Sequence, residues 1–286
     1  MQVHQKVVMN KKFLFLSGEF RVSVPIVFKT LEWLHTATPR RLVNSDFGGL
    51  KRDNLIRESL SGFIFYANIE IEEIRRNNLQ AIIQSGLPCW PNPQEILDND
   101  DRHLLMKKCI NAGLADPRTW VGKLSELDSA SLRYPSVLKI GNLHCGEGKY
   151  FLNSSFDLNR HFLCDDIDSI CTIEPFYEGE SWRVLFIGEK SFFLRFDNPT
   201  SWIKNSSGAD VEEMTTSIPP GLLEHAEKVR SLFNFEICGI DYIVQKNGEI
   251  KFLEYNMFPG VDASDDIALA AGKLFEEKMK LIENLS

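Results

Sequence analysis

Apolar residues fall along this chain in two rhythms. Residues 12 to 90 carry short apolar runs, Phe13 to Leu16, Val24 to Phe28 and Gly62 to Ala67, next to a helix-like stretch from Glu70 to Gln84. That alternation predicts a small α/β unit. The prolines of Pro88-Cys89-Trp90-Pro91-Asn92-Pro93 punctuate it, and a helix-prone stretch from Asp100 to Ala112 follows. From Ser136 the rhythm changes to paired short strands: Ser136 to Ile140 with Lys149 to Leu152, Arg183 to Ile187 with Ser191 to Phe196, and Ile237 to Lys246 with Glu249 to Tyr255. Pro219-Pro220 opens a helix whose apolar residues Leu222, Leu223, Ala226, Val229 and Leu232-Phe233 recur at helical spacing. A last helix begins near Asp262, Asp265 and Asp266 and ends among Lys273, Lys278 and Lys280, a charge order that complements its dipole. The fold class expected is α+β, with an α/β front.

Composition narrows the function classes. The 286 residues are 43% hydrophobic and 25% charged, enough for a real core and unlike a disordered or fibrous chain. No run approaches the roughly 18 to 20 apolar residues of a membrane helix, and Phe13 to Leu16 is too short for a signal peptide, so the expectation is a cytoplasmic protein without a membrane partner. A net charge of −8 argues against a broad nucleic-acid surface. The six cysteines contain no C-x-x-C pair and read as buried reduced thiols.

The last hairpin carries the first candidate chemistry. Asn247-Gly248 is a strong two-residue turn signal, and with that turn Lys246 faces Glu249 and Asp241 faces Glu254. Their Cβ atoms then stand roughly 4.5 to 5.5 Å apart, and Asn256 projects from the same face. Opposed carboxylates must be relieved by a cation, protonation or solvent, and an all-oxygen set suits Mg²⁺, with Mn²⁺ as the alternative ion. A solvated acidic face is the plain alternative; Phe252 and Ile243 on the same face argue that it is covered.

Two further constellations precede it. In Ser136-Val-Leu-Lys139-Ile-Gly141-Asn-Leu-His144-Cys-Gly146-Glu-Gly148-Lys149, a lysine strand enters a glycine-rich loop and leaves in a second strand. Backbone N–H groups there can curl around an anion, with Lys139 and Lys149 as point charges. It is not a Walker A loop, because Glu147 and a strand follow Gly146. An ordinary hairpin fits the loop as well, and His144 either contacts phosphate or faces solvent. In the second, Glu174-Pro175-Phe176 leads through Glu180, Ser181 and Arg183 to Arg195. A three-residue loop around Gly188-Glu189-Lys190 would oppose Arg183 and Arg195 as an anion clamp, whereas a two-residue loop would place them on different faces. Scattered surface arginines are the plain alternative.

In order and spacing these pieces resemble the ATP-grasp superfamily, and within it RimK-type glutamate ligases and synapsin-like proteins, over about residues 88 to 261. The resemblance implies an N-terminal α/β domain (1–95), a central lobe (96–172) and a C-terminal lobe (173–286), the two lobes sandwiching ATP. It assigns Lys139, His144, Gly146, Gly148 and Lys149 to the phosphates and Glu174, Pro175 and Phe176 to the adenine hinge. Asp241, Glu254 and Asn256 would hold the metal, with Arg183 and Arg195 at the transferred phosphate. Arg102 stands where relatives carry a nucleotide lysine, and Ser181 with Glu180 where they carry a ribose acid. Trp202-Ile-Lys204-Asn205 looks like the segment that follows the phosphate arginine in synapsins. The implied activity is an ADP-forming carboxylate-amine ligase working through an acyl phosphate, on an amino acid or peptide. A synapsin-like ATP-binding protein and a small-molecule kinase are the alternatives. The N-terminal Arg21, Arg40, Arg41 and Lys51 are candidates for the acceptor carboxylate, and homo-oligomerisation stays open.

Overall fold

In a computed structural model of the chain, the described residues are 12–17, 40–42, 60–66, 72–141, 148–164, 168–205 and 208–285. Val24 to Phe28, Arg21, Lys51, His144 and Gly146 lie outside them, as do the side chains of Arg40 and Arg41. The chain divides into two compact units, residues 1–98 with 260–286, and residues 99–259.

Among the described residues of the first unit, β1 (Lys12–Ser17), β2 (Arg40–Leu42) and β3 (Leu60–Tyr66) run parallel, and α1 (Glu72–Ser85) leads to β4 (Cys89–Trp90) and then α2 (Pro93–Asp98). The strand order is β2-β1-β3-β4. Parallel neighbours need crossovers, and α1 is one. Phe63, Ile64 and Phe65 are consecutive and fully buried, the run expected of a strand covered on both faces.

The second unit begins with α3 (Arg102–Asn111). Asp101 caps it, its carboxylate accepting from the backbone N–H of His103 at 2.7 Å and of Leu104 at 3.2 Å. Then come β5 (Trp120–Lys123), β6 (Ser136–Ile140), β7 (Lys149–Leu152), α4 (Ser155–Cys164) and β8 (Ile170–Pro175), forming an antiparallel sheet in the order β5-β8-β6-β7. Leu124, Leu138, Leu152, Leu158, Cys171 and Ile173 make its core. The other sheet holds β9 (Glu180–Ile187), β10 (Lys190–Asp197), β11 (Asp210–Met214), β12 (Ile237–Val244) and β13 (Ile250–Asn256), ordered β11-β10-β9-β12-β13 and antiparallel throughout. Between β11 and β12, α5 (Leu222–Ser231) buries Leu222, Ala226 and Val229 and packs on β9 and β12.

The chain then returns to the first unit with α6 (Asp265–Leu285), which packs on β3 and buries Ile267, Ala271, Leu274, Phe275, Met279 and Ile282. This grouping differs from the expected division into 1–95, 96–172 and 173–286. The last helix belongs with the first unit, because its apolar stripe matches strand β3, while the two sheets of residues 99–259 form one compact body. Cys109, Cys171 and Cys238 are buried free thiols as expected, whereas Cys89 is half-buried, and Cys145 and the side chain of Cys164 lie outside the described residues.

Candidate functional site

Asp241 and Glu254 oppose each other across β12 and β13, but by a different route from the one the turn signal implied. The turn has three residues, Lys246 to Gly248: Gly248 N–H donates to Gln245 O at 2.8 Å and Gln245 N–H to Glu249 O at 2.9 Å. Gly248 takes φ +84°, and Asn247 is not left-handed. That loop puts the ladder one residue out of step, with Tyr242 opposite Phe252. A β-bulge then inserts Leu253 as an extra residue on β13 and brings Asp241 back opposite Glu254. The bulge also corrects the expectation for the neighbours: Phe252 faces away with Tyr242, ring centroids 6.1 Å apart, and Lys251 rather than Phe252 stands beside Ile243.

The chain's own cations relieve the two acids. Arg183, opposite Asp241 on β9, donates from Nε to Oδ1 at 2.6 Å and from Nη2 to Oδ2 at 2.9 Å. Asn205 and Asn256 donate to the same Oδ2 at 3.0 and 3.2 Å, and Asp241 is 1% exposed. Gly239 leaves room for this arginine: a Cβ there would stand 3.1 Å from Arg183 Cδ and 2.9 Å from Pro259 Cβ. Glu254 faces Arg102 Nη2 and Lys149 Nζ, each at 3.2 Å, and Lys139 Nζ at 3.8 Å. Burial pushes the Glu254 carboxyl up, but Lys149, Lys139, Arg102 and Arg183 together outweigh it and hold the group well below the usual range.

Lys139 lies at the centre of this cluster. Its Nζ is 2.7 Å from Glu174 Oε1 and donates to Leu253 O at 3.2 Å, so the bulge supplies an acceptor as well as a register. Lys139 and Glu174 are each 4% exposed. Burial raises the Glu174 carboxyl against the pull of Lys139, and burial lowers Lys149 against the pull of Glu254. Gly148 takes φ +65° and its carbonyl accepts from Ile140 N–H, closing the β6–β7 hairpin beside Lys139 and Lys149. Arg102, Lys139, Lys149 and Arg183 thus stand among Glu174, Asp241 and Glu254, four cations to three carboxylates among the described residues. Such a surplus suits an incoming polyanion.

Next to these charges is an open cleft. Lys139, Lys149 and Asn205 line one part of it, and Pro175, Phe176 and Trp202 line an aromatic part. Phe176 and Trp202 sit edge to face at 6.3 Å, and Phe151 packs on both. Glu174, Ser181 and Lys204 line the cleft as well, Lys204 donating to Asn198 O at 2.8 Å. Of the residues expected at phosphate, hinge and ribose, Lys139, Lys149, Glu174, Pro175, Phe176 and Ser181 line this cleft, Arg102, Gly148 and Glu180 do not, and His144 and Gly146 lie outside the described residues.

Arg195 does not join them. The β9–β10 loop has two residues, since Lys190 pairs with Ile187, and Gly188 takes φ +58°. Arg183 then pairs with Leu194, and Arg195 with Trp182 on the face that α5 covers. There Arg195 meets Glu212 at 2.5 Å and Glu180 at 4.0 Å, in the open. Arg183 and Arg195 therefore do not form the expected clamp, and of Glu180 and Ser181 only Ser181 lines the cleft.

Sequence reasoning passed over His103. It is 3% exposed on α3, its Nδ1 2.7 Å from Thr172 Oγ1 and its Nε2 3.1 Å from Gly141 O. A single histidine one residue from a called arginine gave no signal of that bridging position.

No family model matches the chain, and no curated protein matches it in sequence. Solved structures match over nearly its whole length. A RimK domain ATP-grasp protein from Sphaerobacter thermophilus superposes with a TM-score of 0.66 at 14% identity, covering 92% of this chain and 99% of the other. The chain has the ATP-grasp fold. D-alanine–D-alanine ligase from Bacillus anthracis matches with a TM-score of 0.65 at 13% identity, over 96% of this chain and 100% of that one. Macrocyclase MdnC from Microcystis aeruginosa, bound with precursor peptide MdnA, gives 0.65 at 13% identity over 93% and 99%. Within this fold, the acids of β12 and β13 and the lysines of β6 and β7 share one compact unit with the cleft.

Proposed function

We propose that the chain is an ATP-dependent carboxylate-amine ligase that forms an amide through an acyl phosphate and releases ADP and phosphate. The observation that carries this reading is the facing of Asp241, Glu254 and Asn256 by Lys139, Lys149, Arg102 and Arg183 beside an aromatic-lined cleft. The aromatic part takes the base, near Phe176 and Trp202, and the basic part takes the phosphates. ATP-grasp ligases among the solved structures, including an L-amino acid ligase from Bacillus licheniformis at a TM-score of 0.63 and 14% identity, support the reaction class.

Two carboxylates and a carboxamide oxygen on one face form a hard, all-oxygen donor set, which fits Mg²⁺. When bound, the ion would neutralise charge on the β- and γ-phosphates. Arg183 then exchanges Asp241 for the γ-phosphoryl group, while Lys139 and Lys149 turn from Glu254 to the phosphate oxygens. A substrate carboxylate oxygen attacks the γ-phosphorus and the bond to the ADP oxygen breaks, giving the acyl phosphate. The amine nitrogen attacks the acyl carbon, phosphate leaves with the carbon–oxygen electron pair, and the amine gives up a proton. Preorganised donors such as Arg183 contribute about 2.7 to 4 kcal/mol each to such transition states.

The test is phosphate release against pooled carboxylates and amines. ADP and phosphate should appear only when both acid and amine are present, and Asp241→Ala or Glu254→Ala should abolish turnover. AMP with pyrophosphate would overturn the reading. A second reading, ATP binding without turnover as in synapsin-like proteins, is favoured by one observation: Arg195 points away, leaving Arg183 without its expected arginine companion. Tight ATP binding with no turnover on any acid and amine pair would support it.

A further inference from the structure

We infer that His103 is a positioning residue that fixes Lys139 and the end of strand β6 for the nucleotide phosphates. The inference rests on the ATP-dependent reading and adds a residue to it that touches no substrate. His103 projects from the first turn of α3, directly after Arg102, which reaches Glu254 at 3.2 Å. Its two ring nitrogens hold two different elements. Gly141 O, where the chain leaves β6 at φ +68°, can only accept, so Nε2 carries the proton, and Nδ1 then accepts from the Thr172 hydroxyl. Thr172 is the cross-strand partner of Lys139, so one ring fixes both the strand beside the lysine and the backbone two residues beyond it.

A neutral imidazole satisfies both partners; a charged one would leave the Thr172 hydroxyl facing an N–H. Burial, together with the charge of Arg102, lowers the imidazole to about 4, so it keeps this neutral form at ordinary pH; Asp101 and the Gly141 carbonyl pull the other way and Lys139 adds to the lowering. Glutamine can reproduce the donor to Gly141, whereas phenylalanine fills the space and bonds to neither partner.

The test runs two measurements on folded wild type, His103→Phe, His103→Gln and Thr172→Val: amide hydrogen exchange of residues 136–141 and 148–152, and titration with ATP and Mg²⁺. His103→Phe should speed exchange at Ile140 and Gly141 and weaken ATP binding about tenfold, the scale of one to two lost hydrogen bonds. KM for ATP should rise while KM for the acceptor holds. His103→Gln should restore most of both effects, and Thr172→Val should give a smaller change of the same kind, which also serves if the phenylalanine variant does not fold. Unchanged exchange and unchanged ATP affinity in a folded His103→Phe would overturn the inference. If wild type binds no ATP, the ligase reading fails, while the exchange measurement still decides whether His103 holds β6.

Discussion

The two hairpins of the five-stranded sheet solve the same problem in opposite ways. In β9–β10 a two-residue loop sets one register that persists along the ladder, so Arg183 and Arg195 end on opposite faces. In β12–β13 a three-residue loop sets the ladder out of step, and the bulge at Leu253 restores it just before the acids. Because side chains alternate with a period of two, one residue of loop or bulge decides which charges meet. The regular hairpin therefore divides its arginines between the face of Asp241 and the exposed side beside Glu212, and the irregular one brings its two acids together.

The sharpest way to break that comparison is to remove the arginine on the face of Asp241. Arg183→Met should lower kcat by about 100- to 1000-fold, read from ADP release, since it removes a donor aimed at developing charge. A pH titration reaches the same unit from below. The unfolded His103 imidazole takes up a proton below about 6.5, whereas the folded one does so only near 4, so the unfolded state binds more protons in that window. Stability should be complete above pH 6.5 and fall by about 3 kcal/mol towards pH 4, measured by denaturant midpoints, and His103→Gln should remove that share of the slope.

Deletion of Leu253 asks what the bulge itself supplies. The shortened strand would keep Asp241 opposite Glu254 in a regular ladder but lose the carbonyl that Lys139 uses. ATP affinity should fall about tenfold with the melting temperature little changed, the scale of one hydrogen bond to a charged group. The smallest effect belongs to the surface arginine. Arg195→Ala should change stability by no more than about 0.5 kcal/mol and leave turnover intact, because its pairs with Glu212 and Glu180 are exposed. Loss of activity in that variant would place Arg195 in the reaction after all.

Much of this was legible in the chain, for physical reasons that differ by element. Lys139 and Lys149 stand on apolar strands whose pairing was legible, whereas the strand that carries Glu174 and its pairing with β6 were not. The opposition of Asp241 and Glu254 was also read correctly, but through a two-residue turn that does not exist, its error cancelled by a bulge that no local residue announces. Strand β11, Asp210 to Met214, carries three acids and is largely exposed, so its pattern reads as solvated loop. Trp120 to Lys123 is an edge strand of four residues, too short to show a period. The membership of α6 in the first unit depends on contacts across some 200 residues of sequence, which linear periodicity does not encode.

The most direct measurement is calorimetric titration of ATP into wild type and Asp241→Asn, with and without Mg²⁺. A site built as described binds ATP more tightly with Mg²⁺ in wild type and loses that dependence in Asp241→Asn. Equal affinity with and without the ion, or an unchanged dependence in the variant, would contradict the assignment of the two acids and the amide of β12 and β13 to a nucleotide-bound cation.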